Sequence, residues 1–533
     1  MTFVRRKRTL SMLLAAMLAA GALAGCGNSE KSTGTPVDGS NSTTGNASSN
    51  GESQSSEAER DLYEFTLLGN LATELNELDK AYFKGLEDAL NLKINIELPP
   101  GSAYEERLQM MVASGEYADV TLFPSHTMTT YVDACRDGVF IRLNEMLEKC
   151  PNLMAHTYEI SWETLKILSE EGDDSIFSVP RTSIARADGF DIRADWLENV
   201  GITDFVEGKP VTLDQMTEIL RKFTFDDPDG NGIDDTFGLG VYGSGEGNMD
   251  VFFGATFGLG GWGNYDGEII DLKYSRNHDN YKRALQYAQD IWKEGLVDPD
   301  APTIKNDVAL ERFKKGVTGV RGEFAGWMTQ YERQAQEVNP EARYCYATSV
   351  VEKEGGSYSA GGFNTGFWGQ WAIANSAEKP ERILEMFDYM LSDEYWNDTN
   401  YGPKGIAWTE VDGVITPTDQ YEQVLASRNI LRRNDDPGFF VSLDLDEKER
   451  DRIEGLIDIC IDQYIFSLDM GYRPPVADDP TFIDYGKNMA IQISKIVVGE
   501  LPVSEWDLIL DGWYEAGGQT YVEQMQTYIQ SIS

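Results

Sequence analysis

The chain has 533 residues, with 45 lysines and arginines against 89 aspartates and glutamates, for a formal net charge of −44. A polyanion of this size repels nucleic acid and anionic head groups, which excludes nucleic-acid binding, and it attracts cations such as calcium. A hydrophobic fraction of 41% and an aromatic fraction of 11% allow a large core spread over two or three domains.

Arg5, Arg6, Lys7 and Arg8 precede an apolar run from Leu10 to Leu23, and the segment ends in Leu23-Ala24-Gly25-Cys26. This is the pattern of a secretory signal peptide, residues 1–25, with a lipobox at its cleavage site. The Cys26 thiol is expected to carry diacylglycerol and to become a lipidated, palmitate-bearing N-terminus. The expected location is therefore the extracellular face of the cell membrane. The apolar run is shorter than the ~20 residues of a spanning helix. An ordinary signal peptide with a chance Cys is the alternative. Residues 1–25 carry four basic residues and no acidic one, so their removal leaves −48. Residues 26–60 hold the lipidated Cys and a tether, 27–59, of Gly, Ser, Thr, Asn and Glu. As a random coil it spans roughly 30 Å.

The body begins near Leu62. Tyr63–Leu68 reads as a strand, Ala72–Leu90 as an amphipathic helix, Leu92–Leu98 as a strand, Tyr104–Ser114 as a helix and Asp119–Phe123 as a buried strand. This βαβαβ order predicts an α/β fold with a parallel sheet and helices on both faces. Ligands bind such sheets beyond the carboxyl ends of the strands, which points to Gly69-Asn70 and Pro124-Ser125-His126. A second α/β region follows, with a strand at Phe190–Arg193 and helices at Thr212–Phe223, capped by Thr212, and Tyr281–Glu294, ended by Gly295. Val308–Phe313 is helical, Thr318–Phe324 and Phe367–Ala374 are strands, and Pro380–Leu391 is a helix. From Lys448 the chain is mostly helical. Cys135, Cys150, Cys345 and Cys460 read as buried thiols, with one Cys135–Cys150 bridge as the alternative. His126, His156 and His278 form no pair with zinc spacing.

The sharpest internal motif is the run from Asp227 to Asp235. Asp227, Asp229, Asn231 and Asp235 place side-chain oxygens at positions 1, 3, 5 and 9 of an EF-hand-like loop. Gly232 supplies the turn at position 6, and Ile233 offers its carbonyl at position 7. Hard oxygen ligands without Cys or His select calcium, in a structural role. Position 10 is Thr236 and position 12 is Gly238, so the usual bidentate Glu is missing. A metal-free Asx-rich turn is the alternative.

Ile176-Phe-Ser-Val-Pro180-Arg181, Ile192-Arg-Ala-Asp195-Trp196-Leu197-Glu-Asn-Val-Gly201-Ile202 and the Asp227 loop follow the lipobox and tether in order. Tyr287–Pro299, Gly366–Glu394 and Tyr401–Trp408 follow in turn. Over roughly residues 60–530 this order resembles the family 1 extracellular solute-binding proteins. These are carbohydrate-type receptors of ABC importers, and the match is to the long Gram-positive lipoprotein type. The resemblance implies a two-lobed, periplasmic-binding-protein-like (type II) fold. Lobe 1 would hold 61–180 and 362–405, and lobe 2 would hold 186–358 and 408–533. Hinge strands would lie at 176–186, 357–364 and 402–410. It also implies carbohydrate transport: a sugar or oligosaccharide captured in the interlobe cleft and delivered to ABC permease subunits by a monomeric, membrane-anchored receptor.

A pyranose presents an apolar CH face that stacks on Trp and Tyr, and hydroxyls that bond to charged and amide groups. Trp327, following the Thr318–Phe324 strand, is the leading candidate, and the resemblance likewise places an aromatic ring there. Glu323 beside it would accept hydroxyl hydrogen bonds. Trp262 and Tyr265 lie on a Gly-rich loop, Trp368 starts a strand near the second hinge, and His126 and Arg181 sit at a strand end and a hinge. Trp371, Trp196, Trp292, Trp396 and Trp513 are expected to pack. No Gly-x-Ser-x-Gly elbow near a strand-to-helix turn, P-loop or HExxH is found, and the order of the family-like segments is what makes the chain read as a receptor and not an enzyme. The alternatives are a surface-anchored glycan hydrolase with paired carboxylates, a glycan adhesin, and a receptor for a non-sugar solute such as a peptide.

Overall fold

The computed structural model describes residues 61–72, 74–166, 174–183, 186–243, 256–353, 366–422, 425–434, 440–464, 467–469 and 471–532. The leader 1–25, Cys26, the tether and the expected hinge stretch 357–364 lie outside the described residues. No helix among the described residues is long and apolar enough to cross a membrane.

The chain opens with β1 (Tyr63–Leu68), α1 (Glu77–Leu90), β2 (Leu92–Glu97), α2 (Tyr104–Ser114) and β3 (Val120–Phe123). The sequence starts α1 five residues early. Asn76 sets the true start through a capping box: its side chain accepts from Asp79 N at 2.8 Å, and Asp79 accepts from Asn76 N at 3.2 Å. Four short helices between Thr129 and Lys166 follow, a region left unassigned by the sequence patterns. Then comes β4 (Ser178–Thr182). The chain passes into a second sheet with β5 (Gly189–Arg193), α3 (Leu213–Phe225), β6 (Phe237–Gly240), α4 (Asn280–Glu294), β7 (Thr318–Glu323) and β8 (Tyr344–Ala347). It returns to the first sheet as β9 (Phe367–Ile373), and α5 (Glu447–Asp462) opens the helical C-terminal part.

The first sheet has the order β2-β1-β3-β9-β4. β1, β2 and β3 are parallel as expected, but β9 runs antiparallel to both β3 and β4, so the sheet is mixed. The second sheet has the order β8-β5-β7-β6, with β5 antiparallel to β7 and β8. Each sheet has its own core. Phe65, Leu122, Trp371 and Phe387 belong to the first. Phe190, Trp196, Leu220, Leu285, Trp506 and Trp513 belong to the second. A smaller cluster of Phe324, Tyr344, Phe440 and Ile453 covers the other side of β7 and β8.

The segment 408–533, assigned to lobe 2 from sequence, is divided between these cores. Ala426, Ile430 and Leu431 pack in the first core, and Trp371 donates its indole N–H to the Ile430 carbonyl at 2.8 Å. Phe440, in contrast, packs in the smaller cluster. The four cysteines of the body are buried and free.

Asp191 lies in the middle of β5 with no exposed surface, and neither carboxylate oxygen has a hydrogen-bond partner. Burial raises its proton affinity well above the ordinary carboxylate range, the Glu323 charge adds to this, and Arg321 opposes it. A raised carboxyl pKa means that stability is lost as pH climbs above the unfolded value of about 4. Asp191→Asn, which has no charge to bury, should melt about 2–4 °C above the wild type at pH 7. The gap should close near pH 4. Melting curves that stay parallel across this range would contradict the assignment.

Candidate functional site

The first chain crossing runs from Thr182 to Gly189, so the end of β4 and the start of β5 meet along a seam between the sheets. A glycine is required at 189, because a Cβ there would lie 2.3 Å from the Ala347 carbonyl oxygen on β8. The buried Tyr346 hydroxyl accepts from Gly189 N at 2.6 Å and donates to the Glu323 carbonyl at 2.8 Å. One phenol thus pins the seam ends of β5 and β7 to β8.

Arg181 on β4 forms the first wall. Its guanidinium lies 4.2 Å over the Trp368 ring. Its Nε donates to the Trp368 carbonyl at 3.1 Å, and a terminal nitrogen donates to the Asn429 carbonyl at 2.8 Å. Burial pushes its pKa down to about 9. Trp368 reaches this position because the β9–β4 register shifts between Phe367 and Gln370. Gly369 takes φ of 73° at this bulge, which re-aims the preceding side chain. His126, just after β3, sits 5.5 Å from the Phe367 ring, and its Nε2 is 3.3 Å from the Gly471 carbonyl. Arg136 pairs with Asp478 at 3.3 Å on the same rim.

The second wall follows β7. The Glu323 side chain is 19% exposed, so part of it reaches the seam. Its carboxylate accepts from Phe324 N at 3.1 Å and from the Tyr331 hydroxyl at 3.3 Å, and burial raises its proton affinity. Trp327 is half-buried in the next turn, edge-on to Phe440 at 5.3 Å. Phe324 meets Phe440 at 4.7 Å. Gly326 permits this packing, since a Cβ there would lie 2.6 Å from Phe440. Arg186 lies 4.0 Å over Phe324, and Arg432 lies 5.3 Å over Phe440.

The seam therefore brings together Arg181, Trp368, Glu323, Trp327 and, at its rim, His126. Trp262 and Tyr265 are elsewhere. Trp262 is 4% exposed in the second core, 6.2 Å from the Tyr521 ring. Its Gly-flanked loop was expected to expose it. Instead Trp262 N donates to Ser467 Oγ at 2.8 Å, and a Cβ at Gly261 would lie 2.5 Å from that oxygen. The glycine serves a close approach, not an open loop. Tyr265 lines a separate polar cavity of about 730 Å³ with Glu268, Asn277, His278 and Gln526. Sequence reasoning missed Arg186, Phe440, Arg428 and Arg432. The only local signal for the last two is the arginine-rich run Arg428-Asn-Ile-Leu-Arg432-Arg433.

The Asp227 loop enters β6. Asn231 donates its amide to Asp229 at 2.8 Å and to Asp235 at 3.2 Å, and Gly232 N donates to Asp227 Oδ2 at 3.0 Å. Asp227 Oδ1 is buried without a hydrogen-bond partner. Burial raises the proton affinity of Asp229, and the Asp235 and Asp227 charges add to it. No group of three or more His, Cys, Asp or Glu among the described residues is arranged to hold a metal ion. The donor set nonetheless suits a hard cation: three carboxylates, an amide oxygen and the Ile233 carbonyl on one curled loop. Thr236 and Gly238 are committed to packing. Thr236 Oγ1 donates to the Phe223 carbonyl at 2.8 Å, and a Cβ at Gly238 would lie 2.5 Å from the Leu220 backbone.

Comparison with known proteins gives the family. The family model described as "Bacterial extracellular solute-binding protein" matches residues 72–395. The polygalacturonan/rhamnogalacturonan-binding protein YtcQ of Bacillus subtilis is 22% identical over 83% of this chain and 86% of its own. Lipoprotein LipO of the same organism is 26% identical over 79% of this chain and 77% of its own. Among solved structures, an EF-hand mutant of the Streptococcus pneumoniae ABC-transporter substrate-binding protein FusA, in complex with fructo-nystose, superposes with a TM-score of 0.63. It covers 89% of this chain and 99% of its own at 17% identity, a likeness of fold. The fold is the two-lobed one of solute-binding proteins, and the chain belongs to the bacterial extracellular solute-binding protein family.

Proposed function

We propose that the chain is the capture subunit of an ABC importer, taking a sugar or oligosaccharide into the seam and delivering it to membrane permease subunits. The observation that carries this reading is the aromatic lining of the seam. Trp368 and Trp327 with Phe440 offer faces and edges for sugar rings, while Glu323 and Arg181 lie beside them for hydroxyls. The names of relatives support a saccharide: polygalacturonan and rhamnogalacturonan for YtcQ, fructo-nystose for the FusA structure.

In this reading, lobe 1 comprises 61–180, 362–405 and the stretch around Ala426–Leu431, and lobe 2 comprises 186–358 and the chain from Phe440 onward. A ligand that touches both walls binds the closed arrangement better than the open one, and this difference shifts the lobes to closed. Residues 1–25 direct export, Cys26 carries the lipid anchor, and the tether keeps the monomeric receptor close to its permease. The lipoprotein relative LipO supports this placement at the extracellular face. No reaction is assigned to the chain, and the relatives YtcQ and FusA are binding proteins by name. Calcium in the Asp227 loop is assigned a structural role. The EF-hand of the FusA mutant structure and the facing carboxylates of this loop support it.

Calorimetry of the purified chain against a panel of neutral and acidic oligosaccharides should show binding without release of reducing ends. Trp368→Ala and Trp327→Ala should each weaken it about tenfold. Binding to none of the panel, or liberation of reducing ends, would refute the receptor reading. Added calcium should raise the melting temperature, and Asp229→Ala should abolish that rise. A melting curve indifferent to chelator would remove calcium from the account.

A further inference from the structure

The cavity of about 730 Å³ that holds Tyr265 lies apart from the seam. Its walls come from the hairpin of Trp262–Tyr265 and Glu268–Asp271, from Asn277-His278 and from the last helix, Gln519–Ile532. An Asp266-Gly267 turn, with φ of 52° and 91°, closes the hairpin. Tyr265 supplies an aromatic wall. Its ring is laid over Gly263, where a Cβ would lie 2.8 Å from the ring, and its hydroxyl donates to the Gly258 carbonyl at 3.2 Å. His278 stands edge-on to this ring at 6.2 Å, with Nδ1 2.9 Å from Ser275 Oγ. The polar wall is fixed in the same way. Asn277 donates its amide to Glu268 at 2.9 Å, and Gln526 donates to the Ile269 carbonyl at 2.8 Å. Groups held in place before a ligand arrives cost little to order on binding.

The lining excludes most ligand classes. Among the described residues that form it there is no Lys or Arg, while Asp266 and Glu268 carry negative charge, which repels phosphates, sulfates and uronates. Ile269 is the one aliphatic side chain among them, too little for a lipid or an apolar peptide. A cation is not required either. Glu268 already has an amide donor, and the Asp266 side chain is 98% exposed, where water screens its charge. What remains is an aromatic wall beside carboxylates and amides, which matches a sugar: a CH face to stack and hydroxyls to bond. We propose that this cavity is a second binding site, separate from the seam, for a neutral saccharide. Its walls pack on the second core alone, so occupancy does not depend on closure of the lobes. The root of the hairpin stands near the seam rim. Ser467 and Leu468 bond it at Trp262, and Gly471, three residue steps on and so at most about 11 Å away, meets His126. A saccharide held there raises the sugar concentration at the seam.

The test is saturation-transfer NMR of the full chain with maltotriose, mannotriose and kestose, and with trigalacturonate and the glucosamine trimer as charged controls. The Trp368→Ala/Trp327→Ala double variant, weakened at the seam, should still bind at least one neutral trisaccharide and should not bind trigalacturonate. Adding Tyr265→Ala should weaken that binding about tenfold or more. Gln530→Ala, an exposed position on the last helix, should weaken it as well and stands in if the Tyr265 variant does not fold. A double variant that binds no saccharide while the wild type does would overturn the second site and leave the seam receptor. Binding unmoved by both Tyr265→Ala and Gln530→Ala would also overturn it. Preference for the glucosamine trimer would make the cavity a cation site and overturn the neutral assignment. Wild-type binding abolished by Tyr265→Ala alone would keep this site and remove the seam from the receptor reading. Binding of no saccharide by the wild type would overturn both.

Discussion

The guanidinium of Arg181 ties together β4, β9 and the stretch around Asn429. It stands on β4, one residue before the chain leaves for β5, and it lies on the ring and bonds the carbonyl of Trp368, where the chain re-enters as β9. It also bonds the carbonyl of Asn429, on the stretch that packs in the first core. Removing it would orphan two carbonyls in a buried place, at about 1–3 kcal/mol for each unsatisfied group. The orientation of Trp368, the anchoring of Ala426–Leu431 to the first core and the course of the seam all depend on this one side chain. It is kept charged in spite of burial because its flat faces and fork are used at once, which a lysine cannot do.

The two walls of the seam are electrically opposite. Arginines gather on the side of β4 and the 428–432 stretch, while Asp188 precedes β5, Asp191 lies in the middle of β5 and Glu323 ends β7. Arg186 pairs with Asp188 at 3.1 Å, and Arg321 pairs with Glu323 at 3.6 Å within β7. The rim contact between Arg136 and Asp478 is exposed, and such pairs are worth roughly 0–1 kcal/mol. This pair therefore adds little to the hold across the rim. In the proposed function, a ligand that reaches both walls would supply the difference between open and closed, so that closure would report on occupancy.

Local chemistry was legible in the sequence, and long-range assembly was not. α2 has the expected ends because its boundaries are set by neighbours in sequence, down to Gly115 with φ of 70°. Thr212 caps α3 and Gly295 ends α4 for the same reason. The α/β alternation identified two sheet regions, but not that β9 returns antiparallel, since that depends on a strand nearly 250 residues after β3. Trp262 misled because a glycine beside it meant exposure locally, while its meaning came from Ser467 on a distant segment. The arginine cluster was invisible for the same reason: Arg181 and Asn429 are 248 residues apart. The candidates Trp368, Glu323 and Trp327 stand at or beside the ends of strands that periodicity locates, whereas Arg181 was named through a hinge that the resemblance implies.

The Asp227 loop shows how packing limits a site. Four oxygen side chains and one carbonyl precede β6, and then the pattern stops short of the usual Glu. The reason is that β6 begins where the loop should continue. Gly238 is pressed against the backbone of α3 so closely that no side chain fits, and Thr236 is tied to the Phe223 carbonyl. β6 pairs in parallel with β7, Phe237 with Thr318 at its start and Gly240 with Arg321 at its end. The loop thus lies at the end of the second sheet away from the seam, while the far end of the same strand reaches Arg321 beside Glu323. A cation in the loop would act by fixing where β6 starts, and so the register of the strand that backs the ligand wall, without touching the ligand itself.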